Sequence, residues 1–246
     1  MSVKKLNGED SGDRRRFLQL LASGAVLIAA GTISDNKAEA TTPAEGPESL
    51  EGAIPPAERL MREHGVLKRV LLIYGECIRR INAGTELPPA ALANSATIIR
   101  SFIEDYHEKL EENFLFPRFR DVHKLADLVD VLTEQHKAGR KLTDRTLTLA
   151  KAWPLKDPQD KQKLAGSMNL FIHMYSPHEA REDTVLFPAF RTIVTHNEYE
   201  ALGEEFERKE HELFGEDGFE SMVDRVAAIE KTLGIYDLSQ FTPHIW

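Results

Sequence analysis

Cysteine is almost absent: the 246-residue chain has one, Cys77. That excludes an internal disulfide and a thiolate metal cluster, so a metal bound by this chain must be held by nitrogen and oxygen. Basic clusters are scarce too. Beyond Arg14-Arg15-Arg16 no stretch is as densely cationic, and a net charge of −9 gives no footprint for a nucleic-acid partner. Alternation of apolar and polar residues with a period of two is missing over any useful length, which points to an all-helical protein. The apolar stretch over 17–33 is broken by Gln19, Ser23 and Gly24 and is short for a membrane span of about 20 residues. What is present is a 41% hydrophobic content, enough to bury the core of one ordinary domain with extensions.

Residues 1–40 read as a targeting signal rather than as fold. Lys4, Lys5 and Arg14-Arg15-Arg16 make a basic region, the apolar stretch follows, and Ala38-Glu39-Ala40 offers an A-x-A cleavage site. Asp13-Arg14-Arg15-Arg16-Phe17-Leu18-Gln19 resembles the bacterial twin-arginine export signal, departing from it at Asp13 and Gln19. The expectation is passage through the twin-arginine machinery, cleavage near Ala40, and a periplasmic or otherwise extracytoplasmic chain starting at Thr41. Left uncleaved, the segment would act as a membrane anchor. Residues 41–55, rich in Pro, Glu, Gly and Thr, read as a linker.

An eleven-residue stretch occurs twice. His107-Glu108-Lys109-Leu110-Glu111-Glu112-Asn113-Phe114-Leu115-Phe116-Pro117 recurs as His178-Glu179-Ala180-Arg181-Glu182-Asp183-Thr184-Val185-Leu186-Phe187-Pro188. A lone histidine precedes each copy at nearly the same distance: His64, after Arg62-Glu63, and His136, after Glu134-Gln135. A repeat of this kind implies two helical hairpins related by pseudo-twofold symmetry. Within each copy a histidine and a glutamate four apart share one helix face, offering a nitrogen and an oxygen ligand side by side.

The periodicity predicts four helices in residues 56–195. Pro55-Pro56 opens the first, on which Leu60, His64, Leu67, Leu71 and Ile78 form the inward stripe; Cys77, one position before Ile78, reads as packing filler. Asn82-Ala83-Gly84-Thr85 ends it. The second begins at Pro88-Pro89, carries Ile99, Ile103, His107, Leu110, Glu111 and Phe114 inward, and is bent or ended by Pro117. The third, about 122–150, carries Leu125, Val129, Leu132 and His136, and Trp153-Pro154 stops it. Asp157-Pro158 caps the fourth, with Phe171, Met174, His178, Glu182 and Val185 inward and a kink expected at Pro177. Two further helices, near 198–214 and 219–233, dock a C-terminal extension over 196–246 through Leu202, Phe206, Leu213, Met222, Val226, Ile229 and Leu233.

Four histidines and two glutamates inside one bundle would cost several kcal/mol to bury without a cation, since buried charges and polar groups must be paired. Six such groups are too many for one tetrahedral ion and fit two ions bridged by the glutamates. Imidazole and carboxylate without thiolate suit iron or manganese, with zinc in range. Coordination positions remain for an oxo or hydroxo bridge and a small exogenous molecule.

The pattern His64, His107-x-x-x-Glu111-x-x-x-Leu115-Phe116-Pro117, His136, His178-x-x-x-Glu182-x-x-x-Leu186-Phe187-Pro188 resembles the hemerythrin-like, HHE cation-binding family. The resemblance implies an up-down-up-down four-helix bundle around two non-haem irons. Each helix gives one histidine, the second and fourth also give a bridging glutamate, and the centre binds O2 or NO, senses oxygen or iron, or serves in oxidative-stress defence. Where oxygen-carrying members have a fifth histidine, this chain has Arg140. Where they have their second carboxylate, it has Asp183, so Asp183 stands beside Glu182 as a further candidate ligand. Glu108 is another, because an iron-sensing animal relative uses a residue so placed, and His211 could reach in from the extension. Tyr74, Tyr106 and Tyr175 are candidates for hydrogen bonds to the ligands; His123, His196 and His244 read as surface. The expected function is binding of, or response to, O2, NO or peroxide, with a di-iron oxidoreductase of those molecules or an iron buffer as the alternatives.

Overall fold

A computed structural model describes residues 54–243. The expected export signal over 1–40, the linker up to residue 53, and His244 lie outside the described residues. Those described form helices and connections, with no strand among them. No helix among them is long and apolar enough to cross a membrane.

The first helix, α1, is Pro56–Ala83; proline stands in its first turn, where a missing N–H costs nothing, and Gly84 ends it at φ 64°, a conformation that favours glycine. The second rod, α2, starts as Pro89–Ile98, widens into π-helix over Ile99–His107, tightens for Glu108–Leu110, widens again over Glu111–Leu115 and finishes as Phe116–Asp121. Helix α3 is Ala126–Lys151. The fourth rod, α4, runs Pro158–Arg181, a π-helical Glu182–Leu186 and a last turn Phe187–Phe190. Helices α5 (His196–Phe214) and α6 (Gly218–Leu233) follow, then a short 3₁₀ turn, Leu238–Phe241.

The two matching π segments come from the two prolines of the repeat. Pro117 and Pro188 have no N–H to donate, and their rings crowd the carbonyl four residues back. The preceding turn widens: the Phe116 N–H donates to the Glu111 carbonyl, and the Phe187 N–H to that of Glu182. Pro117 therefore neither ends nor breaks its rod, and Pro177 lies within the α-helical part of α4 rather than at its edge.

Several boundaries and faces differ from expectation. Helix α3 starts at Ala126, not near 122, because His123 (φ 51°) and Leu125 (φ 52°) take the left-handed conformation and turn the chain first. On α1 Cys77 is the fully buried residue and Ile78 is only half-buried, the stripe having drifted by one position. Leu213 is exposed rather than docked, and Met174 and Val185 are half-buried.

Helix α1 packs against α2 and α4, and α3 packs against the same two. The extension lies on α1: α5 touches α1, and α6 touches α1, the start of α2 and α5. A row of arginines on α1 holds it. Arg59 donates to Glu210 (2.6 Å), Arg69 grips Glu230 with two nitrogens (2.9 and 2.6 Å), Arg80 reaches the Leu233 carbonyl (2.6 Å), and Arg62 lies 4.3 Å above the Phe219 ring. Leu202, Phe206, Met222, Val226, Ile229 and Leu233 are buried beneath.

Candidate metal centre

All six side chains singled out by the repeat are buried, none more than 4% exposed. Ligand atoms of His64, His107 and Glu111 lie within 4.8 Å of one another, and so do those of His136, His178 and Glu182. The two groups interlock through their carboxylates. Glu111 Oε1 is 3.8 Å from His107 Nε2 while its Oε2 is 3.4 Å from His136 Nε2. Glu182 Oε2 is 3.2 Å from His178 Nε2 and 3.4 Å from His64 Nε2. Each glutamate thus stands between histidines of different hairpins. The Nε2 atoms of His64 and His107 face each other at 3.1 Å.

The outer nitrogen of every ring is anchored by a neighbouring rod. His64 Nδ1 is 2.7 Å from Asp183 Oδ1, His107 Nδ1 2.7 Å from Glu63 Oε2, His136 Nδ1 3.1 Å from Glu112 Oε1, and His178 Nδ1 2.8 Å from Gln135 Oε1. In a neutral imidazole an Nδ1–H donating outward leaves Nε2 free of its proton and aimed inward, the tautomer a metal ligand needs. Asp183 therefore backs a histidine instead of pointing at the centre. Glu63, Glu112 and Gln135 escaped sequence reasoning, although a signal was there: each is the chain neighbour of a candidate ligand, and their places repeat (Glu63 with Gln135, Glu112 with Asp183). Phe116 lies flat on His136 and Phe187 flat on His64, each pair with ring centroids 5.5 Å apart, so the Leu-Phe-Pro of each copy walls the other hairpin's histidine.

The remaining candidates scatter. Glu108 groups with Glu112 and His136, yet Arg140 donates to Glu108 Oε2 and Glu112 Oε1 (both 2.6 Å), and the Tyr175 hydroxyl donates to Glu108 Oε1 (2.5 Å). A guanidinium has no lone pair to give a metal, so Arg140 fills that corner as an ion-pair partner. Tyr106 donates to Glu63 Oε1 (3.1 Å), one step behind His107. Tyr74 makes no side-chain hydrogen bond among the described residues and packs edge-on against Phe171. His211, His123 and His196 are exposed and away from the cluster.

Charge within the cluster is divided unevenly. Burial would depress His64, but Asp183 and Glu182 outweigh it and raise the imidazole to about 9. Burial takes His136 down to about 4 and lowers His107. Burial, with the Glu182 charge beside it, pushes Glu111 well above the carboxylate range, whereas His178 and His64 overcome burial to hold Glu182 well below it. Among the described residues, both oxygens of Glu111, both of Glu182 and Nε2 of His136 are buried without a hydrogen-bond partner. Orphaned acceptors so concentrated are costly unless something cationic sits among them. The donors present fit iron or manganese, and a cation there would satisfy all of these atoms together.

A family model described as the Hemerythrin HHE cation binding domain matches residues 56–190. The chain is 50% identical over 248 residues to proteins named Uncharacterized protein Rv1995 of Mycobacterium tuberculosis and Uncharacterized protein Mb2018 of Mycobacterium bovis, with 99% of this chain and 96% of each relative covered. No solved structure matches the chain.

Proposed function

The chain belongs to the hemerythrin HHE cation-binding family, and on that premise we propose that it is an exported, non-haem di-iron protein that binds or responds to O2, NO or peroxide. In this reading α1 to α4 form the up-down-up-down bundle. His64 and His107 would hold one ion and His136 and His178 the other, with Glu111 and Glu182 placed within reach of both pairs. The observation that carries it is the placing of those two glutamates, each between histidines of different hairpins and, among the described residues, with no hydrogen bond on any of its oxygens.

Iron bound there would supply one-electron exchange and coordination sites for a small ligand. The side chains do the rest. The four Nδ1 anchors fix ring orientation and tautomer, and Phe116 and Phe187 keep water off two of the imidazoles. Arg140 holds the corner where oxygen carriers place a fifth imidazole, and it ligates nothing. Export is supported by the twin-arginine-like stretch at Arg14-Arg15, with cleavage near Ala40.

Metal analysis and optical spectra of the purified protein, with and without O2 and NO, test this. About two irons per chain and a spectral change that reverses when the gas is removed support binding. A metal-free or single-zinc preparation rejects the reading. Catalytic consumption of peroxide, or of NADH through a reductase, moves the assignment to an oxidoreductase, and iron without any gas response moves it to a buffer. Lysine at both Arg14 and Arg15 should trap the protein in the cytoplasm.

A further inference from the structure

The two halves of the centre match in their inner residues and differ in what stands behind them. Behind His64 and His107 are Asp183 and Glu63, each 2.7 Å from Nδ1. Glu63 is fully buried and accepts from His107 on one oxygen and from the Tyr106 hydroxyl on the other. Both oxygens act as acceptors, and no lysine or arginine pairs with Glu63 among the described residues. Among the described residues the one lysine or arginine in range of Asp183 is Lys68, 3.7 Å from its other oxygen and largely solvated.

The opposite half is electrically muted. His136 is backed by Glu112 at the longer distance of 3.1 Å. That carboxylate also accepts from Arg140 and Lys109, both at 2.6 Å. His178 is backed by Gln135, which is neutral, where symmetry with Glu63 would put a carboxylate. A carboxylate drawing on Nδ1–H makes the imidazole a stronger donor at Nε2, and an amide does so far less.

We propose that the two metal positions are inequivalent by construction: the position at His64 and His107 fills first and holds its ion more tightly, because Glu63 stands behind His107 where Gln135 stands behind His178. This rests on the two-ion reading above. The His136 and His178 position is the labile one, from which an ion is lost or exchanged first.

Titration of the metal-stripped full chain with Co(II), without oxygen, followed by visible absorption and calorimetry, tests it. The native sequence should fill in two separable steps. Glu63→Gln, nearly isosteric, should weaken the first step by about 10–100-fold and leave the second unmoved, and Gln135→Glu should strengthen the second by a comparable factor. His178→Ala should remove the weak step and His107→Ala the strong one. Circular dichroism checks that each variant is folded; should Glu63→Gln fail to fold, Gln135→Glu decides alone. Two indistinguishable steps in the native sequence, or a Glu63→Gln effect spread equally over both, overturns the inference and leaves the two-ion reading standing. Failure to take up Co(II) at all overturns both.

Discussion

Gly139 on α3 lies directly against the phenol of Tyr175 on α4: a β-carbon at 139 would overlap the hydroxyl and come within 2.8 Å of Cε2. The hydroxyl it makes room for donates to Glu108 on α2, so one missing side chain lets three rods meet beside the centre. Gly139→Ala should destabilise the protein by about 1–3 kcal/mol, the usual cost of overpacking. Chemical denaturation of the single and double variants checks this. Tyr175→Phe should cost less in the Gly139→Ala background than alone, because the clash and the hydroxyl are one problem.

Removing one ligand should be read in metal content before anything else. His107→Ala or Glu182→Ala should halve or abolish bound metal, whereas exposed His123→Ala should leave it unchanged. Elemental analysis of the three variants prepared side by side is the measurement. Stripping metal from the native protein should lower its thermal midpoint, since a ligand that binds only the folded state stabilises it.

Arg59 and Glu210 are both buried and paired at 2.6 Å, and Glu210 also accepts from the Phe219 N–H at the start of α6. Arg59→Ala leaves a buried charge alone and should cost about 3–5 kcal/mol. Substituting both, Arg59→Met with Glu210→Leu, should recover most of that. Limited proteolysis near Gly215 should be fast in the single variant and slow in the double one.

Glu104, with no exposed surface, is pushed by burial up to about 7, against the pull of Thr143 and Arg100. A carboxyl whose folded pKa is raised holds its proton more tightly when folded, so stability is fully present at low pH and falls as pH rises from about 4.5 through 7. The loss is about 3 kcal/mol at most for a shift of that size. Glu104→Gln should flatten this fall. Unfolding free energies at pH 5 and pH 8, on metal-stripped protein and variant, should show the variant gaining on the native chain as pH rises.

The helical class and the inward faces of the repeat were legible because periodicity reports faces, and a motif that occurs twice reports a pair. The burial of His64, His107, His136 and His178 follows the apolar stripes they lie on. The start of α3 was not legible: a left-handed turn at His123 and Leu125 carries no glycine to announce it. On α1 the choice between Cys77 and Ile78 failed because a straight helix slips relative to an integer spacing over five turns or so. The Nδ1 anchors were legible as neighbours and repeats but not as partners. Glu63, Glu112, Gln135 and Asp183 sit next to candidate ligands in the chain but back candidate ligands on other rods, a relation that exists only after folding.

The widened turns at Glu111–Leu115 and Glu182–Leu186 also constrain how the gene can change length. Deleting one residue inside either would rotate all that follows by about 100° and draw it back by about 1.5 Å, carrying Phe116 off His136 or Phe187 off His64. The connections at 84–88 and 152–157 impose no such phase. Insertions and deletions should therefore accumulate between the rods among descendants of this sequence, while both eleven-residue stretches keep their length.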